Sequence, residues 1–201
     1  MTESVLGELR ESVGTPSGQH VAFSRQRMRQ WFSRTAQAIQ WDALESPVGP
    51  LYVAVGAKGL CRVGFGTDLS SFLDRLDSMA HVEQNPAALA IITEQLSEYF
   101  AGSRSRFEVR LDLSRLTPFQ QSVLQVTRHI AAGTVWTYRQ VAEALGNPNA
   151  SRSVGQALGH NPVPIVVPCH RVVASDGSLG GYSAGAGLES KRLLLQLEGA
   201  L

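Results

Sequence analysis

Cys169 and His170 are adjacent in the sequence and lie between two valine-rich apolar runs. A free thiol has a pKa of about 8.5 and becomes a nucleophile when a cationic or basic neighbour increases its thiolate fraction. His170 and Arg171 can both supply such a group. Because Pro168 fixes φ and lacks an N–H, we expect Cys169 to lie on a turn between two buried segments. A buried structural cysteine is the alternative, since free cysteine is among the most buried residue types.

The elements that must hold this pair are predicted from the second half of the chain. Thr117-Pro118 is an N-cap followed by proline at the first helical position, which predicts a long helix. Thr137-Tyr138-Arg139-Gln140 is a capping box that opens a shorter helix. A Gly/Asn/Pro-rich turn then leads to another short helix over residues 151–160. Together these patterns predict a helix-turn-helix.

The first half of the chain has a β-rich pattern followed by helical periodicity. Alternating apolar residues on both sides of Gly56-Ala57-Lys58-Gly59 predict a hairpin, and Asn85-Pro86 is typical of a helix start. The predicted elements are a hairpin over residues 51–65 with Cys61 in its core, a helix over 72–79, a helix over 86–100 and a strand over 107–111. We therefore expect an α+β unit over residues 38–114 and a helix-turn-helix domain over residues 115–201.

Residues 1–37 are interpreted as a partly flexible N-terminal extension. Residues 24–40 carry four arginines together with Trp31 and Phe32 in a window with helical periodicity. Two interpretations stay open: a basic arm that contacts DNA, and a helix that docks these two aromatic residues on the rest of the protein.

Composition restricts the functional class. The 201 residues suit one or two small domains, and the formal net charge is only +1. Residues 113–201 are mildly basic, which allows nucleic-acid binding without requiring it. The sequence has no long apolar run and no signal-peptide pattern, so we expect a cytoplasmic protein without membrane contact. Two cysteines and five scattered histidines give no spacing typical of a disulfide framework or a metal site.

The predicted helix over residues 151–159 consists mainly of small residues. A thin helix can bring its backbone close to phosphates or into a narrow groove. Arg152 lies near its N-terminus, where a positive charge is unfavourable for the helix. This position suggests that Arg152 contacts an anion or stacks on a base, and an ordinary surface arginine is the alternative.

Residues 161–172, with the core Pro168-Cys169-His170-Arg171, closely resemble the active-site motif of the O6-alkylguanine-DNA alkyltransferases. The resemblance extends over residues 117–198, and it is weaker but consistent in the sheet domain. It implies an α+β fold with a small N-terminal α/β roll containing an antiparallel, ribonuclease H-like sheet. A mainly helical winged helix-turn-helix domain is implied to follow.

The resemblance implies repair of DNA by direct reversal of alkylation damage. The damaged base is flipped from the duplex, and its alkyl group is transferred irreversibly from O6-alkylguanine, and in some cases O4-alkylthymine, to Cys169. The protein is then consumed after one turnover. The implied partner is the minor groove of double-stranded DNA, bound by a monomer that can act cooperatively. No cofactor and no metal are implied, because the damaged base itself supplies the alkyl group.

The resemblance also assigns roles to individual residues. In the implied relay, His170 reaches the thiol through a water molecule and is polarised by Glu198. The implied catalytic residues are Cys169, His170, Glu198, Tyr138 and Asn161. The implied DNA-binding residues are Arg152, Ser151, Ser153, Gly155, Ala157 and Thr134. The implied substrate pocket is formed by Pro164, Val172, Tyr182 and Ser183.

One segment departs from the family pattern. Relative to that pattern, the stretch between Tyr182 and Lys191 is expected to be shorter and the lip of the pocket wider, which affects the expected Ser183 contact and the size limit on alkyl groups. Three other functions are alternatives: a protein that flags alkylated bases without repairing them, a cysteine hydrolase and a winged-helix regulator. The presence of Cys169 argues against the first, because proteins that only flag bases replace the nucleophile. Arg152 and the helix pair argue against the second, because a hydrolase does not need them. No additional regulatory domain is evident for the third.

Overall fold

A computed structural model of the protein describes residues 38–78 and 80–201. Both interpretations of the N-terminal extension, and the predicted helical position of Met79, therefore lie outside the described residues. Across those ranges, no helix combines the length and the apolar character needed to cross a membrane.

The first part of the described chain forms a four-stranded sheet in the order β3-β2-β1-β4. The pairs β1/β2 and β2/β3 are antiparallel, whereas β4 runs parallel to β1. The predicted hairpin is confirmed, and Gly59 allows its turn because φ is +128° there and a Cβ would meet the Arg110 carbonyl. The strands are β1 (Ile39–Leu44), β2 (Leu51–Gly56), β3 (Gly59–Phe65) and β4 (Val82–Gln84).

Three local predictions in this part were incomplete or wrong. The strands β1 and β4 were not predicted. The strand expected over residues 107–111 is not formed, since only Leu111 makes an isolated bridge, to Leu60 at the sheet edge. The helix expected over residues 72–79 is shorter and begins earlier, because the Asp68 side chain caps it by accepting from the Ser71 N–H.

Four of the six described α-helices begin at a residue whose side chain caps the helix, namely Asp68, Asn85, Thr117 and Thr137. Thr117 and Thr137 each form the predicted capping box, with Gln120 and Gln140 respectively. The helices are α1 (Leu69–Leu73), α2 (Pro86–Phe100), α3 (Pro118–Arg128), α4 (Tyr138–Ala144), α5 (Ser151–Gly159) and α6 (Leu188–Leu197). The short strands β5 (Trp136–Thr137) and β6 (Val172–Val173) pair in parallel beside the helix pair α4 and α5.

Residues 38–201 form one compact unit with a shared hydrophobic core. Leu51 from the sheet, Leu96 from α2, Val123 from α3 and Val167 before the Cys-His pair all belong to it and are fully buried. The backbone N–H of Val63 in β3 also donates to the Pro162 carbonyl at 2.9 Å. The sheet therefore supports the segment that carries Cys169 directly.

Candidate active site

Cys169 lies on a turn, as the sequence predicted. It begins a short 3₁₀ helix, Cys169–Arg171, and its N–H donates to the Val167 carbonyl at 2.8 Å. Ile165, four residues earlier, has a φ of +72°, which is unusual for a β-branched residue. Because Ile165 is fully buried, core packing holds this strained backbone in place. The turn is therefore a rigid mount for the thiol.

Asn161 connects this turn to the thiol itself. Its amide nitrogen donates to the Val167 carbonyl at 2.9 Å and to Cys169 Sγ at 3.1 Å. Its amide oxygen accepts from the Val163 N–H at 3.0 Å. A donor on sulfur favours the thiolate over the thiol. Asn161 thus braces the turn and stabilises negative charge on the nucleophile.

His170 is fully buried and bonded to a carboxylate. Its Nε2 lies 2.9 Å from Glu198 Oε1, so Nε2 donates and Nδ1 keeps a lone pair. Nδ1 is buried and has no hydrogen-bond partner among the described protein atoms. Burial lowers the pKa of His170, while the contact with Glu198 opposes that shift. The imidazole is therefore neutral, and its basic Nδ1 accepts no hydrogen bond from the described protein atoms.

Glu198 accepts from three side chains at once. Arg171 binds it as a fork, with Nε 2.8 Å from Oε2 and one Nη 2.7 Å from Oε1. Tyr99 of α2 donates its hydroxyl to Oε1 at 2.7 Å. Burial favours the neutral acid, but the hydrogen bonds from His170 and Arg171 hold the pKa of Glu198 at about 2. Arg171 thus serves the carboxylate and not the thiol, which corrects its expected role beside Cys169.

Lys191 is a fully buried cation near the thiol. Its ammonium group donates to the carbonyls of Val172 and Gly181. Burial lowers the pKa of Lys191 to about 8. Burial also raises the pKa of Cys169, and the Asn161 hydrogen bond and the Lys191 charge both act in the opposite direction. Asn161 and Lys191 therefore both favour the ionised form of the buried thiol.

A cavity of about 240 Å³ opens onto the thiol. It is lined by Tyr138, Gly155, Leu158, Gly159, Cys169, Gly181, Tyr182 and Ser183. The Tyr138 hydroxyl points across it to the Gly181 carbonyl at 3.4 Å. The hydroxyl of Tyr182 is buried and interacts with the Cys169 thiol without full hydrogen-bond geometry. The cavity is large enough for a purine-sized group.

The structure divides the predicted pocket residues into two groups. Tyr182 and Ser183 line the cavity beside Cys169. Val172 is fully buried, and its carbonyl accepts from Lys191. Pro164 lines a neighbouring cavity on the other side of Ser183. These two therefore do not line the cavity that reaches the thiol.

Helix α5 presents most of the predicted DNA-binding residues on one side. The side chains of Arg152 and Ser153 are exposed, and Ser151 and Gly155 are partly exposed. Ala157 is only 2% exposed, because it lies on the apolar face that packs α5 into the core. Exposed Thr134, at the end of a preceding turn, uses its hydroxyl to bind the Ala131 carbonyl. Ala157 is therefore a packing residue in this arrangement.

Two residues of this network were not predicted as functional. Tyr99 belongs to the apolar stripe of α2, and no sequence pattern indicates that its hydroxyl meets Glu198. Lys191 did carry a signal, since it shares the helical face of Leu194 and Leu195 where a charge is unexpected. Among residues 38–78 and 80–201, no group of three or more His, Cys, Asp or Glu could hold a metal ion.

Comparison with known families decides the relationship. The family model of the 6-O-methylguanine DNA methyltransferase ribonuclease-like domain matches residues 39–113, and that of its DNA binding domain matches residues 118–200. The chain belongs to the 6-O-methylguanine DNA methyltransferase family. The resemblance stated from the active-site motif is therefore confirmed, and so is the α+β fold class.

Individual relatives of this methyltransferase family agree. The methylated-DNA–protein-cysteine methyltransferase of Mycobacterium bovis is 41% identical over 165 residues, covering 80% of this chain and 92% of the relative. That of Methanosarcina barkeri is 37% identical over 158 residues, covering 79% and 96%. The crystal structure of Mycobacterium tuberculosis O6-methylguanine methyltransferase superposes with a TM-score of 0.69 at 37% identity, covering 81% and 93%. Mycobacterium tuberculosis OGT in complex with DNA gives 0.68 at 38% identity, covering 79% and 92%.

Proposed function

We propose that this protein repairs alkylated DNA by direct reversal, transferring the alkyl group from O6 of guanine to Cys169. The observation that carries the proposal is a cavity of about 240 Å³ that ends at a thiol held by Asn161. Family membership and relatives named methylated-DNA–protein-cysteine methyltransferases support the same reaction. Activity on O4-alkylthymine is included as a second substrate, because it presents the same alkyl–oxygen bond.

The exposed side of α5 carries small residues and one arginine, which is suitable for binding DNA. The small residues Ser151, Ser153 and Gly155 let the helix backbone approach a narrow groove, and we assign this to the minor groove. The Arg152 side chain is assigned to the gap that the flipped base leaves between its neighbours in the DNA base stack. Flipping is required because the cavity lies beside α5 and admits a base only once it is out of the duplex. We expect one monomer per lesion, with cooperative binding on longer DNA.

The chemical step is a displacement at the alkyl carbon. Cys169 Sγ attacks that carbon, the S–C bond forms, and the C–O6 bond breaks with its electron pair remaining on guanine. The guanine ring gains one proton at N3 from the Tyr138 hydroxyl. The thiol gives its proton to His170, and that proton returns through solvent to restore the Tyr138 hydroxyl, so that the net change is transfer of one proton from sulfur to guanine. The backbone N–H of Ser183 is assigned as the donor to O6. Burial raises the pKa of Tyr138, so its hydroxyl keeps its proton until it is needed.

Proton removal from the thiol is assigned to His170. Adjacent residues on a turn do not face each other, so a water molecule is assigned between Nδ1 of His170 and Sγ of Cys169. Glu198 stabilises the imidazolium that forms, as a carboxylate does in related relays. The basic Nδ1, which has no protein partner among the described atoms, supports this assignment.

The product is a thioether, which water does not hydrolyse. No metal or diffusible cofactor takes part in the proposed transfer, because the substrate supplies the alkyl group. The protein should therefore act once per molecule. Incubation with a duplex carrying radiolabelled O6-methylguanine is expected to move at most one equivalent of label to the protein. Mass spectrometry should place that label on the peptide containing Cys169, and many turnovers per molecule would contradict the proposal.

The role of Arg152 has a separate test. Arg152→Ala should slow repair of O6-methylguanine in duplex DNA by about tenfold or more, because base extrusion loses its replacement in the stack. Transfer from free O6-benzylguanine needs no extrusion and should be almost unchanged. Arg139→Ala, on the neighbouring helix, is the matched control. Equal losses on both substrates would argue against the assignment.

A further inference from the structure

A second cavity of about 470 Å³ lies beside the alkyl-transfer cavity. Its lining comes from the end of β3, the start and end of α1, the end of α5 and the segment Ser183-Ala184-Gly185, which we call the lip. The two cavities share Gly159 and Ser183. Asn161 also lines the second cavity, and its amide is 3.1 Å from Cys169 Sγ. One layer of residues therefore separates the second cavity from the nucleophile.

The lip that divides the cavities is held by close backbone contact and one polar bond. At Gly66 and Gly185 a Cβ would lie 2.6 Å and 2.4 Å from atoms of the facing segment, so the lip rests directly on the end of β3. Ser183 Oγ donates to the Gly159 carbonyl at 3.1 Å, at an exposed position. An exposed hydrogen bond of this kind contributes little net stability, because water replaces it. The lip can therefore open at Ser183 while it remains anchored at Gly185.

The second cavity has an unusual charge distribution. Arg62, Arg75 and His160 line it, and none of its lining residues is acidic. Arg62 is partly buried and donates to the Arg75 carbonyl at 3.3 Å, which brings two guanidinium side chains to one site. Within residues 38–78 and 80–201, neither arginine forms an ion pair. Arg75 is exposed, so the cost of a charge without a counter-ion falls on the partly desolvated Arg62, and a bound anion relieves this cost.

The rest of the lining is suitable for an extended organic group. Val63, Phe65, Phe72 and Pro164 contribute apolar atoms to its wall, although each of these residues is largely buried. Arg62 lies on β3 and Arg75 follows the end of α1. Because Ser183 lines both cavities, a group that extends from the thiol side past Ser183 enters a space whose lining includes both arginines.

Resting on the proposed function, we propose that this cavity binds the distal end of bulky O6-guanine adducts and selects those that end in a carboxylate. The alkyl carbon stays at Cys169, where the S–C bond forms and the C–O6 bond breaks as before. The remote carboxylate is unchanged by the reaction and is held by Arg62 and Arg75. The lip, which belongs to the segment between Tyr182 and Lys191, forms the boundary that such adducts cross.

Free bases test this specificity without any DNA phosphate. The intact protein is incubated with O6-benzylguanine, O6-(4-carboxybenzyl)guanine and O6-(4-aminomethylbenzyl)guanine, and alkylation of Cys169 is followed by mass spectrometry. The carboxybenzyl compound should react faster than the aminomethyl compound. In the double variant Arg62→Gln/Arg75→Gln, the rate with the carboxybenzyl compound should fall by about three- to tenfold, as expected for lost charge-assisted bonds. The rate with O6-benzylguanine should be unchanged.

Controls separate the possible outcomes. Arg110→Gln removes an exposed arginine outside this cavity and should change none of the three rates. Equal losses on all three bases in the double variant would overturn the proposal. A loss confined to duplex O6-methylguanine, and reduced by added salt, would mean that the arginines bind a backbone phosphate instead. No reaction with any free base, while duplex O6-methylguanine is still repaired, also overturns it. Failure to repair that duplex contradicts the proposed function itself.

Discussion

The two cysteines differ in the hydrogen bonds and charges that surround their sulfur atoms. Cys61 of β3 is partly exposed, and its Sγ donates to the Ala54 carbonyl at 3.3 Å. Cys169 is buried, and its Sγ accepts from Asn161. Burial raises the pKa of both thiols, but nearby Asp112 raises that of Cys61 further, whereas Lys191 acts to lower that of Cys169. Burial is the largest influence on the pKa of both thiols, and the two differ because Cys169 accepts a hydrogen bond that favours its thiolate, whereas Cys61 donates one.

The strongest test of this contrast exchanges each sulfur for oxygen. Cys169→Ser should abolish alkyl transfer, because a serine hydroxyl stays protonated at neutral pH and is a much weaker nucleophile. Cys61→Ser should retain full transfer of one equivalent and change the free energy of unfolding by no more than about 1 kcal/mol. Label transfer and thermal unfolding measure the two effects. Transfer that survives in Cys169→Ser and disappears in Cys61→Ser would reverse the assignment.

An intermediate effect is expected from Lys191→Met. Methionine keeps most of the side-chain volume and removes the cation, so the pKa of Cys169 should rise and the rate of transfer near neutral pH should fall by about tenfold. The rising part of the pH–rate profile should move to higher pH. In the unchanged protein, the benefit of the Lys191 charge should decline above pH 8, since the pKa of Lys191 is about 8. Arg192→Met, at the exposed neighbouring position, is the control.

A merely structural role for Lys191 predicts another outcome. The Lys191→Met protein would then lose stability and active fraction, and its pH–rate profile would stay in place. The position of the profile therefore separates an electrostatic role from a packing role, even where the variant is less stable.

The smallest effect is expected from Tyr99→Phe. This change removes one hydrogen bond to Glu198 and should lower the free energy of unfolding by about 1.5 kcal/mol. Glu198 then carries more negative charge at Oε1, which stabilises the protonated His170 and raises its pKa. Because the proposed base is neutral His170, the acid limb of the pH–rate profile should move to higher pH. Tyr52→Phe, remote from Glu198, should leave the profile unchanged, and an unmoved profile in Tyr99→Phe would mean a packing role only.

Sequence patterns predicted those turns and helix starts that depend only on residues close together in the chain. The hairpin around Gly59 and both capping boxes depend on residues close in sequence, and they were predicted correctly. The strand expected over residues 107–111 was wrong because strand formation needs a neighbouring strand, and only Leu60 pairs with this segment. The parallel strand β4 was missed for the same reason, since its partner β1 is more than thirty residues away.

The candidate site shows a similar division. The motif around Cys169 predicted the nucleophile and the histidine, and the family resemblance predicted Glu198 as the carboxylate. Tyr99 comes from the other half of the chain, and only the folded structure brings its hydroxyl to Glu198. The change in the role of Arg171 has the same origin, because its direction depends on where the end of α6 lies.

Gly155 connects the stability of α5 to access to the nucleophile. Glycine within a helix costs about 1 kcal/mol relative to alanine. A Cβ at this position would lie 3.6 Å from the Tyr138 ring, which is an ordinary contact, so steric overlap does not require glycine here. Gly155 does line the cavity that leads to Cys169. A laboratory selection for thermal stability would therefore favour alanine at position 155, and its products would survive heating better while admitting the damaged base less well.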